Sequence, residues 1–455
     1  MKKTIALILA LVMSLSFVGV IGASAAEVYD GTSVSASLSG AGTEADPYLI
    51  ANGADLAFFA ANAVAGASYK LTADIVWATA PTATNWTPVV NFSGTFDGNG
   101  YSISGLYAVG STQVGFIGNT TATAVIKNLT IKDSHFEADT TVAGIVAFVT
   151  PGTPDAPAYI TIENCVNYAE IVINKKEGNS GGILGEVITT AKKENLVVAN
   201  ISKCVNYGNV TSKTGNGYIG GVVGRLSGAG TVSECANFGT ITGASAIVGG
   251  VLGQLSWNGA DDARYTILVE NCLNAGAVNG THVSGGIAAR AYELVTIKNC
   301  VNLGQLTVTK DDSNANRFGA IESNTVSTYE NNYYLAGSAV NATLPDTVGL
   351  GNRAGATEKA AADMAGLVSV LGEAWTVVDG QLTLKAVANA GKVETAQPEV
   401  TEPAPETTLA PETTLAPETT EPGSSEPTGD SAFVFIMIGV IALVGVAVVS
   451  KRREN

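Results

Sequence analysis

Few side chains in this sequence could do chemistry, and their spacing limits what that chemistry is. The only imidazoles, His135 and His282, lie far apart, and the chain holds neither an H-E-x-x-H motif nor a C-x-x-C pair. Zinc chemistry has nothing to stand on, and no residue is assigned a catalytic, cofactor-binding or metal role. The five Cys all sit in one repeated setting, Cys165-Val166-Asn167, Cys204-Val205-Asn206, Cys235-Ala236-Asn237, Cys272-Leu273-Asn274 and Cys300-Val301-Asn302. A shared repeat position predicts a column of small buried side chains rather than a disulfide framework or a reactive thiol. The Asn two residues beyond each Cys predicts an amide ladder or a set of corner turns. Leu129 and Asn332 are expected at the Cys position in the flanking copies.

A second signature, Gly-Φ-Φ-Gly with Φ apolar, alternates with the first. It begins at Gly115, Gly144, Gly182, Gly221, Gly250, Gly286 and Gly319, with Ala or Glu in the last position of three copies. Glu186, Arg225, Gln254 and Arg290 follow four of these blocks. Stacked one coil apart, they form the candidate ligand face. The alternative is a solvated ladder in which Glu186 and Arg225 pair weakly. A polysaccharide lyase or glycoside hydrolase would need clustered carboxylates near a cation on such a face, and fold alone assigns no such activity. Asp97, in Asp97-Gly98-Asn99-Gly100, is expected to be a turn residue. Trp257 and Tyr218 are the aromatic candidates for stacking on sugar.

What must position these residues is a repeat of about 34 residues. Short strands separated by Gly, Asn, Ser and Thr turns, with no helix-length periodic segment inside a unit, cannot bury a face alone. Stacked as parallel coils about 4.8 Å apart, they bury a continuous interior. The expected fold is all-β, a three-sided right-handed parallel β-helix (β-solenoid) with three strands per unit and short capping helices. An antiparallel sandwich is the competing arrangement, disfavoured by the unequal repeat lengths. Ala54 to Val64 reads as a helix at the first coil. A second helix, N-capped by Thr357 and running to about Leu371, leads to a strand pair over Trp375 to Leu384.

The blocks Gly42-Thr43-Glu44-Ala45-Asp46-Pro47-Tyr48-Leu49-Ile50, Tyr69-Lys70-Leu71-Thr72-Ala73-Asp74-Ile75 and Phe92-Ser93-Gly94-Thr95-Phe96-Asp97-Gly98-Asn99-Gly100, with the repeats that follow, resemble the GLUG-motif repeat proteins of bacterial surfaces. That resemblance implies a right-handed parallel β-helix over most of the body. GLUG repeats also occur in some immunoglobulin A metallopeptidases, but without H-E-x-x-H that activity is not carried over.

The chain of 455 residues is 46% hydrophobic and only 14% charged, with 52 Gly and a formal net charge of −16. It is too apolar for a disordered protein and too acidic for a nucleic-acid partner. Lys2 and Lys3, an apolar run to Val20 and the small residues Ala23 to Ala26 read as a signal peptide over 1–26. Residues 27–90 are expected to hold an N-terminal cap and first strands, 91–345 the solenoid repeats and 346–390 a C-terminal cap. Residues 391–430 carry nine acids and one Lys, with Ala-Pro-Glu-Thr-Thr starting at Ala404, Ala410 and Ala416, which predicts an extended Pro/Thr/Glu-rich linker. Residues 431–450 are uncharged and long enough for one transmembrane helix, and the basic tail 451–455 is expected in the cytoplasm. Pro427-Thr428-Gly429 before that span resembles the LPxTG-type cell-wall sorting signal of Gram-positive surface proteins, which implies sortase and peptidoglycan as partners; Pro427 adjoins Thr428 where the family spaces them, and no Leu precedes it. The sequence thus describes a non-enzymatic cell-surface solenoid that recognises glycan or protein ligands, with an enzyme or a passive coat as the alternatives.

Overall fold

A computed structural model describes residues 27–390 apart from 154, 176, 190–196, 216, 245–246, 256–265, 282, 293, 310–317, 323–326 and 342–355. The expected signal peptide, linker and membrane span, the sorting-signal candidate Pro427-Thr428-Gly429, His282 and Trp257 lie outside the described residues. Among the described residues no helix is long and apolar enough to cross a membrane.

The body is a stack of coils joined by parallel pairing into sheets of 15, 10, 8 and 6 strands. One coil shows the path. Leu184–Ile188 forms the first wall, Val197–Ser202 the second, Val205–Asn206 the third, Val210–Ser212 the fourth and Tyr218–Gly220 the fifth. The next coil repeats this as Val223–Ser227, Ala229–Ser233, Ala236–Asn237, Ile241–Gly243 and Ile247–Gly249. The first two walls belong to one sheet because the 11-residue strand Ile117–Lys127 pairs with both Val146–Val149 and Ala158–Glu163. Five short walls per coil replace the three sides expected. The Gly-Φ-Φ-Gly block is not itself a strand: Gly182 and Ile183 form the corner between the fifth wall and the first. Parallel pairing already begins at Tyr48–Ile50 with Ser68–Leu71, and it extends to Ala356–Lys359 on Asn332–Leu335, so stacking runs past both ends of the 91–345 span.

Alternation sends every second side chain inward. On the second wall Ile160, Ile162, Ala199, Ile201, Val232, Ile267, Val269, Val295 and Ile297 are all buried. At the corner into the third wall one residue per coil turns left-handed: Asn128, Asn164, Lys203, Glu234, Asn271, Asn299 and Asn331 have φ between 51° and 55°. The residue that follows points inward. Here sit the five Cys, buried and unbridged, with Leu129 and Asn332 at the same register in the flanking coils. Each thiol reaches a carbonyl at the corner, as Cys204 does to Ser202 at 3.2 Å. Asn332 meets the same need through its amide, donating to the Ile297 carbonyl at 2.8 Å.

Two residues on, Asn167, Asn206, Asn237, Asn274 and Asn302 form an unbroken buried ladder. The first four donate from Nδ2 to the next Oδ1 at 2.8–2.9 Å, and all five donate to their own coil's backbone carbonyl two residues ahead. The ladder explains why the two sequence signatures advance together. A Cβ on Gly221 would lie 2.3 Å from the Asn237 amide carbon and 2.2 Å from the Gly250 carbonyl oxygen, so the corner facing each Asn must be Gly. The last copy is offset by one from its expected position: Gly319 pairs with Gly285, not Gly286, and Glu322 bridges to Ala288. Glu322 therefore lies buried at the C-terminal end of the stack, accepting from the Ala291 amide at 3.1 Å and from the Tyr329 hydroxyl.

The first helix spans Gly53–Asn62, with Asn52 as N-cap. Its Phe59 enters an aromatic cluster with Tyr69, Phe92, Phe96 and Phe116 that fills the interior of the first coils. The C-terminal segment differs from expectation in two ways. Thr357 lies in the strand Ala356–Lys359, and only short helical turns follow between Ala361 and Leu371. These turns and the antiparallel hairpin Trp375–Val378 with Gln381–Leu384 do not form an end plug. Met364, Leu367, Leu371, Trp375, Leu382 and Leu384 pack along the outer face of the third wall on Val166, Val205, Ala236, Leu273 and Val301. That face is apolar on both sides because Val, Leu or Ala sits between each Cys and Asn. The hairpin turns on Asp379 and Gly380, both at positive φ, the pattern of a tight two-residue β-turn.

Candidate functional site: a polar groove between the first and fifth walls

The register places the four candidate ligand-face residues in one column. Glu186 pairs with Arg225, Arg225 with Gln254 and Gln254 with Arg290 across successive first-wall strands, with Phe148 preceding Glu186. They face outward because each first-wall strand spends two residues on one outward step. Leu184 and Val187 point into the interior, as do Val223 and Leu226, so Gly185-Glu186 and Gly224-Arg225 share the outer side of the wall, where Glu186 and Gln254 are nonetheless buried, at 8% and 3% exposure.

The fifth wall supplies the opposite side. Its outward column runs Thr141, Asn179, Tyr218 and Ile247, each three residues before the Gly that opens the corner block. The corner is re-entrant, so the outer faces of the two walls meet. A Cβ on Gly181 would strike the Leu184 carbonyl oxygen at 2.2 Å, and one on Gly185 would lie 2.9 Å from the Thr141 methyl. The Gly residues thus let the two walls close on each other at the corner, and a groove follows their outer lip. Within it lies a cavity of about 450 Å³ lined by Thr141, Glu177, Asn179, Glu186, Tyr218 and Arg225, with Thr140 at the rim.

The groove is held by a built network. Arg225 Nη1 lies 3.2 Å from Glu186 Oε1, its Nε donates to Ser227 Oγ at 3.1 Å, and its guanidinium sits 5.3 Å from the Tyr218 ring centre. Thr141 Oγ1 donates to Glu186 Oε2 at 3.4 Å, and Asn179 Oδ1 accepts from the Tyr218 amide at 3.1 Å. With only 18% and 11% of the Arg225 and Glu186 side chains exposed, this pair is more sheltered than the weak solvated ladder considered above. Arg290 lies farther along, with Nη1 3.4 Å from the Tyr292 hydroxyl. Thr141, Glu177 and Asn179 were absent from the sequence-based set, although Thr141 and Asn179 share the three-residue offset that could have revealed them. Tyr218 lines the groove, but its ring carries Arg225 on one side.

The remaining groups serve structure. Burial pushes the Cys204 and Cys300 thiols well above their ordinary range. Asp97 holds its turn by accepting from the Asn99 amide at 2.8 Å and the Asn128 side chain at 2.9 Å. His135, on the fourth wall, stacks on Tyr107, with its ring nitrogens 3.0 Å from Glu170 and 3.3 Å from Glu137. Burial pushes Glu137 upward, but hydrogen bonds from Asn174, Lys213 and His135 outweigh it and hold the carboxyl below its ordinary value. Among the described residues no group of three or more His, Cys, Asp or Glu is arranged to hold a metal ion.

Comparison with known proteins gives two likenesses. Over 138 residues the chain is 34% identical to halomucin of Haloquadratum walsbyi, a match covering 27% of this chain and 2% of that protein. The chain therefore spans a very small part of that relative. A solved structure of a Bacteroides ovatus protein, provisionally described as an immunoglobulin A1 protease, superposes with a TM-score of 0.48 at 18% identity, over 76% of this chain and 94% of that one. No known family profile matches the chain.

Proposed function

We propose that this protein is a non-enzymatic recognition module of the GLUG-repeat type, displayed on a Gram-positive cell surface. In this reading residues 1–26 direct export, the coils wind right-handed, the acidic linker 391–430 raises the body, and 431–450 anchors it. Sortase acting at Thr428-Gly429 is the finer form of the anchoring proposal. The observation that carries the recognition reading is the groove. Its walls are repeating outward columns held by the Glu186–Arg225 pair, and a solenoid that served only as a spacer has no need of a sheltered polar cleft.

An enzymatic reading has one observation in its favour, the presence of Glu177 and Glu186 in the same cavity. Against it, Glu186 is committed on one oxygen to Arg225 and on the other to Thr141, which leaves it poorly placed to deliver a proton. The test is incubation of the full-length chain with arrays of glycans and matrix proteins, followed by mass analysis of every ligand. Saturable binding with intact ligand supports the proposal. Shortened glycan overturns it in favour of an enzyme, and silence across the array overturns it in favour of a passive coat.

A further inference from the structure

Resting on the recognition reading, we infer that the groove takes an uncharged, hydroxyl-rich linear chain, a neutral glycan, lying parallel to the solenoid axis. Three features of the site carry this. The first is direction: the cavity is lined from three successive coils, by Thr141, then Asn179 and Glu186, then Tyr218 and Arg225, so its sides follow the stack and present groups once per coil, about every 4.8 Å. A ligand that uses such a surface is itself a repeating extended polymer.

The second is the inventory of hydrogen-bonding groups. Thr141, Asn179, Glu186 and Arg225 bring donors and acceptors into one cavity, and the planar carboxylate and guanidinium, locked together at 3.2 Å, present their remaining sites side by side. Neighbouring hydroxyls on a sugar are each donor and acceptor at once, and match such a fixed mixed pair. Apolar anchoring is scarce: the cavity's one aromatic is Tyr218, one face of which already carries Arg225. That disfavours an apolar peptide or a lipid.

The third is charge. Arg225 is matched by Glu186, and Glu177 adds a second carboxylate, so the cavity is net negative. The chain as a whole carries −16. A polyanionic glycan meets repulsion both at a distance and on contact.

The test is calorimetric titration of the full-length chain in detergent micelles with neutral hexasaccharides of the cello-, manno-, xylo- and galacto- series, with hexagalacturonate, and with an uncharged Ser/Asn/Thr hexapeptide. Two groove variants accompany the native chain: Asn179→Ala, and Thr140→Trp, which fills the cavity from an exposed rim position outside the core. The expected result is that a neutral hexasaccharide binds, hexagalacturonate binds at least tenfold more weakly, and Thr140→Trp weakens binding at least tenfold with an unchanged melting profile. Asn179→Ala, by removing one hydrogen-bonding wall group, is expected to weaken binding several-fold. Preference for hexagalacturonate or the peptide, abolished by Thr140→Trp, overturns the ligand class while leaving the recognition reading intact. Binding indifferent to both variants overturns the groove as the site. Silence toward all probes overturns this inference, and the broad array then decides the recognition reading separately.

Discussion

Replacing Asn237 with Leu removes the middle rung of the buried amide ladder at nearly constant side-chain size. Three hydrogen bonds vanish: Asn206 Nδ2 to Asn237 Oδ1 at 2.9 Å, Asn237 Nδ2 to Asn274 Oδ1 at 2.9 Å, and Asn237 Nδ2 to the Gly239 carbonyl at 3.0 Å. Asn206, Asn274 and Gly239 are all buried, so one N–H of Asn206, the Oδ1 of Asn274 and the Gly239 carbonyl lose that bond away from water. At about 1–3 kcal/mol for each of the three groups, the expected loss is about 3–9 kcal/mol. Asn302→Leu, at the end of the ladder, takes a bond from the Asn274 N–H and from the Gly304 carbonyl, and should cost about two-thirds as much. Stacked repeats lose two-state behaviour easily, so a single melting temperature is a poor readout. Native-state hydrogen exchange at the third-wall amides of residues 205–206, 236–237 and 273–274 reports the local effect. A tenfold loss of protection corresponds to about 1.4 kcal/mol, so Asn237→Leu should lower protection at least about 100-fold. Loss under tenfold, or equal loss for Asn237→Leu and Asn302→Leu, would refute the claim that the ladder acts as a hydrogen-bonded unit.

Gly221→Ala places a Cβ against the Gly250 carbonyl oxygen and the Asn237 amide, and should destabilise by about 3 kcal/mol or more in chemical unfolding. Lys203 holds φ 54° at a corner where five of the seven aligned residues are Asn, so Lys203→Asn should raise stability by about 1 kcal/mol in the same assay. The five buried thiols should resist a disulfide reagent at pH 8 in the folded protein and all react on unfolding; a rapidly reacting thiol in the native state contradicts the buried column. Glu137, held below its ordinary value of 4.5, contributes stability that is present above that pH and lost as pH falls through its folded-state pKa, so the acid side of the stability profile should flatten in Glu137→Gln.

Much of the fold was legible because a solenoid writes its register into the sequence. The Cys and Asn columns and the Glu186–Arg290 stripe fall at fixed offsets from repeated blocks, and equal offsets become stacked positions when coils pair in parallel. The number of walls was not legible, because strands of two residues such as Val205–Asn206 carry no period of their own. The role of Gly-Φ-Φ-Gly was misread for a related reason: apolar residues flanked by Gly suit a strand or a tight corner equally, and only the Asn ladder opposite decides for the corner. The side-docked C-terminal segment was hidden because its partners are the lone apolar residues between Cys and Asn, which look like ordinary strand composition. Half of the groove was missed because Thr141 and Asn179 differ in type from coil to coil, so that wall shows up by position rather than by identity.

The most direct test of the central claim is hydrogen exchange of the full-length chain with and without its tightest-binding array ligand. The account predicts added protection confined to the groove strands, residues 179–188 and 218–227, with the fourth wall unchanged. Protection centred on the third or fourth wall, or no change at a saturating ligand concentration, would contradict it.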